Sequence, residues 1–369
     1  MFHAPILTTR GKEIATGLVI LGLVFGGLGV GEAALRLMNL AKFGVAGTVE
    51  KSAKYHIDPA SGLRAPRPGT VHGKAAISSL GFRSPEIAVP EPAGTVRLAF
   101  LGASTVFDAN NGGAIEDSWP HRAVERLRAR FPACTFDYVN AGVPGFGTPQ
   151  VATYLEKNVA RHAIDVVLVM ASDFDSDATA LAAARGMETN LEADRPWLAR
   201  HSILFANLMK NADVLRLQRA AFSAVGHLEY DALALSAAFR ERLAALVDLG
   251  HRVADGVVLM SPANKLDGGQ TPEEQLAAAN TALYYMPFMS VPGLVEGQAA
   301  YRQAIAEVAT ATGAAHVAAA ESVPKDDAHY VDSAHFTVAG SEAMGEAVAA
   351  ELAAEPAFLA ALRANGCGG

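Results

Sequence analysis

Three short stretches of this sequence hold side chains able to do nucleophilic and acid–base chemistry. The first is Gly102-Ala103-Ser104-Thr105, which follows directly on the apolar run Val96–Leu101. Open α/β sheets place their ligands just past the carboxyl ends of the strands, so a serine hydroxyl there is positioned to attack a substrate. The second is Asp332-Ser333-Ala334-His335. A carboxylate at that spacing can orient the imidazole, and the imidazole can take a proton from a serine hydroxyl. The third is Asn140-Ala141-Gly142-Val143-Pro144-Gly145, whose glycines let backbone amides come close to a bound oxygen. Singly, a Gly-x-Ser after a strand is a common tight turn and an Asp-x-x-His a common surface turn. Together they meet the nucleophile–base–orienter requirement for acyl transfer through a serine ester.

The stretches AFLGAST, NAGVPGFGT and VDSAHFTVAG resemble the serine, glycine and Asp-x-x-His blocks of the SGNH/GDSL hydrolase family. Lesser matches are SSLGFRSPE at 78–86, the dipeptide Trp119-Pro120 and VVLMSPAN at 257–264. The resemblance covers residues 70–350. It implies a flavodoxin-like three-layer α/β/α sandwich active on esters, by deacetylation, by lipid or thioester hydrolysis, or by acyl transfer to glycans, with no metal and no organic cofactor. Residue by residue, it makes Ser104 the nucleophile, His335 the general base and Asp332 its orienter, with the amides of Ser104 and Gly145 as oxyanion-hole donors.

Two departures from the family pattern stand out. Ala103 occupies the middle of the first block, where a small residue is tolerated. The family also places Gly-x-Asn-Asp after the third strand, whereas this chain reads MASDFDSD over 170–177. The alignment sets Ser172 at the asparagine position, as the third oxyanion-hole donor, and Asp173 at the aspartate. A serine hydroxyl is a shorter donor and less fixed in direction, and losing an oxyanion-hole donor costs about 10²–10³ in turnover. Asp173, Asp175 and Asp177 read as solvated loop carboxylates, and no metal site is drawn from them.

The elements that must position these groups are legible as short apolar strands alternating with helical stretches. Strands are expected over Val96–Leu101, Phe136–Val139, Asp165–Met170, Gly256–Met260 and Ala315–Ala319. Trp119–Phe131 carries Ala123, Val124, Leu127 and Phe131 at helical spacing behind Pro120. Residues 178–250 are Ala/Leu-rich and helical, and Thr337 opens a helix to Glu351. Strands joined by helical crossovers predict a parallel α/β sheet with helices on both faces.

Upstream, Ile14–Gly31 runs 18 positions without a charge, between Arg10, Lys12 and Glu13 on one side and Glu32 on the other. About 20 apolar residues span a bilayer as a helix. The run exceeds the roughly 7–15 apolar residues of a signal peptide, and it lacks the polar face of a buried helix. It reads as an uncleaved transmembrane anchor, with cleavage after Gly31 the alternative. Gly22–Gly26 and Gly27–Gly31 have GxxxG spacing, read as the ordinary glycine content of membrane helices. Arg10 and Lys12 before the helix balance Arg36 and Lys42 after it, so charge does not set the orientation. The expected organisation is a tail over 1–13, an anchor with extension over 14–40, a Pro/Gly/Ser-rich extended connector over 41–95, a hydrolase-like domain over 96–355 and a C-terminal tail over 356–369.

Composition narrows the partners. The 369 residues carry 30 Lys+Arg against 38 Asp+Glu, a net charge of −8, with no basic run to bind nucleic acid. Two cysteines, Cys134 before a strand and Cys367 in a glycine-rich tail, form neither a CxxC zinc motif nor an expected bridge. His121, His162, His201, His227 and His251 lack ligand spacing, and Asn110-Asn111-Gly112-Gly113 reads as a surface turn. The resulting expectation is a membrane-anchored serine esterase with its domain periplasmic or extracellular and its N-terminus cytoplasmic. Its substrate is expected to be an acylated, foremost acetylated, envelope glycan or a small ester. The alternatives are a catalytically weak subunit serving a membrane-protein partner, and an O-acyltransferase using the same triad.

Overall fold

The computed structural model describes residues 9–43, 54–72, 75–108, 113–223 and 225–367. The tail over 1–8, residues 44–53 of the expected connector and Asn110-Asn111-Gly112 lie outside the described residues. In order, the chain forms α1 (Thr9–Phe43), β1 (Thr95–Gly102), α2 (Ser104–Phe107), α3 (Trp119–Arg130), β2 (Thr135–Gly142), α4 (Thr148–Tyr154), β3 (Val166–Met170) and α5 (Phe174–Ala184). It continues with α6 (Trp197–His201), α7 (Ile203–Ala220), α8 (Ala237–Val253), β4 (Gly256–Met260), α9 (Val291–Thr312), β5 (Ala315–Val317), α10 (Val338–Leu352) and α11 (Pro356–Ala364), with shorter turns between.

The five strands pair in parallel in the order β2-β1-β3-β4-β5. Alternation along each strand divides its side chains between two cores, as the pleat requires. Val96, Leu98 and Phe100 of β1 join one core, with Trp119, Ala123 and Leu127 of α3 and Met344 and Val348 of α10. Ala99 and Leu101 join the other, with Val151 of α4, Phe239 and Leu243 of α8 and Tyr301 and Ile305 of α9. The architecture is therefore three layers, helices covering both faces of a parallel sheet. Gly102 pairs with both Gly142 and Met170, so β1, β2 and β3 end level with one another. The chain leaves β1 for β2 on one side and reaches β3 on the other, and such a topological switch point is where open sheets bind ligands.

Three expectations need correction. The stretch over 41–95 is more than an extended connector: Tyr55–Ile57 pairs with Arg64–Pro66, Val71–His72 pairs with Ala75–Ala76, and Phe82 and Arg83 are fully buried. The C-terminal stretch over 356–369 is not a tail, because α11 buries Phe358 and Leu362 and stacks the Phe358 ring on Phe136. Burying one such side chain stabilises by about 1.5–3 kcal/mol, enough to hold a short helix in place. The same helix carries Cys367 back to the sheet, where Cys134 Sγ lies 3.5 Å from the Cys367 carbonyl oxygen with both thiols free. Finally, the helical stretch after α5 is not all one domain. Among the described residues, 192–213 form a separate compact unit with α1, apart from the unit that holds the sheet.

In the smaller unit, Thr16–Ala41 of α1 has a mean hydropathy of 2.1 and is long and apolar enough to cross a membrane.

Candidate active site

Ser104 opens α2, a single turn of helix directly after β1. Close backbone approach is what the flanking glycines permit. A Cβ on Gly102 would lie 2.2 Å from the Met170 carbonyl oxygen, and one on Gly142 would lie 2.4 Å from the Phe107 nitrogen. No larger residue fits at either position. A one-turn helix satisfies little of its own backbone, yet each of its four carbonyls has a donor. The Asp108 amide donates to Ser104 O, the Trp119 indole to Thr105 O at 2.8 Å, Asn140 Nδ2 to Val106 O at 2.9 Å, and Arg83 Nη1 to Phe107 O at 2.7 Å. Three other segments, through Arg83, Trp119 and Asn140, thus fix the nucleophile's turn.

Asp108 closes α2 in the left-handed region at φ 51. Its buried carboxylate accepts from the Trp119 amide at 2.9 Å and the Ser341 hydroxyl at 2.8 Å. Complete burial pushes its pKa up to about 7, against the pull of those hydrogen bonds and of the Arg83 and His335 charges.

Asp332 and His335 lie between β5 and α10, on a loop closed by the Tyr330–Phe336 bridge and by Thr337, whose hydroxyl caps α10. Ser333 ties the loop down by donating to Ala278 O at 2.6 Å while accepting from the Ala282 amide at 3.1 Å. His335 Nδ1 is 2.9 and 3.0 Å from the two Asp332 carboxylate oxygens, and His335 Nε2 is 2.9 Å from Ser104 Oγ. The neutral tautomer with its proton on Nδ1 satisfies both contacts and leaves Nε2 to accept the serine proton. Burial raises the Asp332 carboxyl, but the His335 hydrogen bond and charge and the Ala334 and His335 amides outweigh it and hold the carboxyl below its ordinary value. Asp332 is thereby kept ionised, as an orienting carboxylate must be.

Two of the three carboxylates after β3 depart from their reading as solvated, while Asp175 is exposed as expected. Asp173 is 3% exposed, accepts from the Thr148 amide and hydroxyl at 2.7 and 3.0 Å, and pairs with Arg242 Nε at 2.8 Å. Asp177 accepts from Arg242 Nη2 at 2.7 Å and from the Tyr301 hydroxyl at 2.6 Å. Both are scaffold groups that join α4, α5, α8 and α9. Ser172 Oγ accepts weakly from the Phe174 amide at 3.4 Å, which leaves its hydroxyl proton for a ligand.

Ser104, Ser172, Asp332 and His335 all line one cavity of about 260 Å³. Gly145 does not line it; it lies at an exposed turn after β2 with φ 88. The cavity wall adds Phe174, Met286, Gln298, Arg302 and Asp175, none of which sequence reasoning assigned to the site. Asp175 is solvent-exposed where it opens on the cavity, and the protein mass around it raises its pKa by desolvation. Among the described residues no three His, Cys, Asp or Glu side chains gather to hold a metal ion.

Arg83, Asp108 and Arg242 were also missed as positioning groups. The only signals were a lone arginine inside the SSLGFRSPE lead-in at 78–86 and an aspartate just after the serine block.

No protein-family profile matches the chain, and no curated protein matches it. Among solved structures it is similar to the acetylxylan esterase Axe2 from Geobacillus stearothermophilus, at 17% identity and TM-score 0.41, over 69% of this chain and 93% of that one. A catalytic mutant of the same esterase aligns at 17% identity and TM-score 0.43, over 71% and 96%. An alpha/beta hydrolase enzyme from the metagenome of Lake Arreo, Spain, aligns at 16% identity and TM-score 0.38, over 76% and 99%.

Proposed function

We propose that the chain is a serine esterase of the SGNH/GDSL type, anchored in a membrane by α1, that removes O-acyl groups, acetyl foremost, from an envelope glycan or a related ester. The observation that carries this reading is the row Asp332–His335–Ser104, hydrogen-bonded at 2.9 Å at each step and opening on a cavity. In this reading His335 Nε2 takes the Ser104 proton as Oγ bonds to the ester carbonyl carbon, and the carbonyl electrons move onto oxygen. The Ser104 amide, at the start of α2 without an acceptor in its own helix, and the Ser172 hydroxyl donate to that oxyanion. The Gly145 amide, on its turn outside the cavity wall, is a lesser contributor. His335 then protonates the leaving alcohol, the carbon–oxygen bond breaks, and acyl-Ser104 remains. Water deprotonated by His335 repeats the sequence and releases the acid, with Asp332 stabilising each imidazolium. No metal or organic cofactor enters. The N-terminus is assigned to the cytoplasm and the hydrolase-like domain to the periplasm or exterior, where envelope glycans lie.

Purified protein should hydrolyse p-nitrophenyl acetate and label with a fluorophosphonate, both dependent on Ser104. Absence of both sinks the esterase reading. A second reading, a catalytically weak subunit in the assembly of a membrane complex, is favoured by Ser172 in place of an amide donor and by the Asp175 carboxyl in the cavity. It predicts a stoichiometric membrane-protein partner alongside negligible Ser104 labelling. An O-acyltransferase would use the same triad, and product analysis with a glycan acceptor separates transfer from hydrolysis.

A further inference from the structure

We propose that the segment around Trp197 and Leu198 is a foot that rests in the lipid headgroup layer, held at that depth by Glu32 of α1. The inference rests on the reading of α1 as a membrane span. The first observation is where the covering of α1 begins. From Thr16 to Val30 every residue is exposed, whereas Gly31, Glu32, Leu35, Arg36 and Asn39 are partly covered, one stripe at helical spacing. That stripe starts where the charge-free run ends. Eighteen residues of helix rise about 27 Å, close to the roughly 30 Å of a bilayer's hydrocarbon core. Glu32 therefore stands at the hydrocarbon edge.

What covers the stripe is the other half of the same unit, the segment entering α7. Glu32 accepts from the Ser202 hydroxyl at 2.9 Å and from the Ile203 and Leu204 amides at 3.2 and 2.9 Å, so a residue of α1 caps α7. Arg36 pairs with Glu32 at 2.8 Å and donates to the His201 carbonyl at 2.9 Å. Gly31 is close enough to Leu204 that a Cβ there would lie 3.3 Å from it. Charge at the hydrocarbon edge is costly unless satisfied, and here both charged groups are satisfied by each other and by the docked segment.

The docking fixes the depth of α6. Trp197 lies five residues before Ser202, so at helical rise it is within about 8 Å of the edge, which is headgroup territory. Trp197 is 65% exposed and Leu198 47% exposed, although both are large and apolar. Trp197 stacks on the His201 ring at 4.5 Å, which holds it in one orientation. Tryptophan favours this layer because its ring is apolar and its N–H polar. On the uncovered side of α1, Leu37 and Met38, five and six residues past Glu32, are 65% and 66% exposed.

The chain has only two tryptophans, and Trp119 is fully buried. Full-length protein and Trp197→Phe, each reconstituted in phosphatidylcholine vesicles and recovered by flotation, therefore isolate the Trp197 emission by difference. Lipids brominated near the headgroup should remove most of that emission, and lipids brominated near the bilayer centre much less. Glu32→Ala should still float with the vesicles but lose the quenching. Failure to float would overturn the membrane span itself. Flotation with Trp197 unquenched would leave the span standing and overturn the foot. A blue-shifted but unquenched Trp197 would do the same, since a protein surface and not lipid would then cover it. Undiminished quenching in Glu32→Ala would overturn the role of Glu32.

Discussion

The loops that leave β1 and β3 start from the same end of two neighbouring strands, yet are opposite in what their side chains do. After β1, the Asp108 amide closes the Ser104 turn and its other three carbonyls are held from outside, by Trp119, Asn140 and Arg83, while the serine side chain points to His335. After β3, the side chains themselves are the struts: Asp173 and Asp177 are consumed by Thr148, Arg242 and Tyr301. In one loop the scaffold serves a side chain; in the other the side chains serve the scaffold. Substitutions should therefore separate, with activity lost first at Ser104 and stability lost first at the struts Asp173 and Asp177, while Ser172, which lines the cavity, follows Ser104.

The largest effect belongs to the first loop. Ser104→Ala should lower p-nitrophenyl acetate turnover by about 10⁴-fold or more and abolish fluorophosphonate labelling, with little change in Tm, because none of the four carbonyl contacts involves Oγ. A large fall in Tm would mean that the hydroxyl is itself structural. Asp332→Asn comes next, at about 10²–10⁴-fold in kcat, because an amide facing Nδ1 favours the wrong imidazole tautomer. Unchanged kcat in this variant would show that the histidine needs no orienter.

How much of this was readable without the structure follows from sequence distance. Ser104 was visible because an apolar strand announces it, and Asp332 and His335 because they lie three apart. Strand ends were read too early, at Leu101 and Val139, where the ladder runs on to Gly102 and Gly142. Hydropathy ends with the last apolar side chain, whereas backbone pairing needs no side chain. Arg242 was invisible because it meets Asp173 across 69 positions and sits on a helix whose pattern reports only burial. The docking of 192–213 on α1 was hidden for a similar reason. An Ala/Leu-rich helix looks the same whichever neighbour covers it, and only Glu32 reveals the choice.

The second loop supplies the next two tests. Arg242→Met leaves Asp173, 3% exposed, as a buried carboxylate without its cation. That should cost about 3–5 kcal/mol, read as a lower Tm, while kcat of the folded fraction stays near the parent's. If kcat falls and Tm does not, the pair belongs to the chemistry and the contrast between the loops breaks. Ser172→Ala should cost about 10–100-fold in kcat, less than a fixed amide donor, with Tm unchanged. Ser172→Asn should restore or exceed parental turnover. No change in either variant would remove Ser172 from the oxyanion hole.

The last test sharpens the contrast between two buried carboxyls. Asp173 faces an arginine at 2.8 Å, whereas Asp108 accepts from the Trp119 amide and the Ser341 hydroxyl and complete burial raises its pKa from 3.8 to about 7. Between those two values the folded protein holds a proton on Asp108 that the unfolded chain has released. Its contribution to stability is therefore fully present below pH 3.8 and fades as pH climbs to about 7. Asparagine can accept from the same two donors but cannot ionise. Asp108→Asn should thus lose less stability than the parent as pH rises through that window, a difference of at most about 1.4 kcal/mol per pH unit. Thermal melts of both proteins across the window measure it. Parallel Tm profiles would mean that Asp108 is ionised throughout and that Arg83 and His335 together do for it what Arg242 does for Asp173.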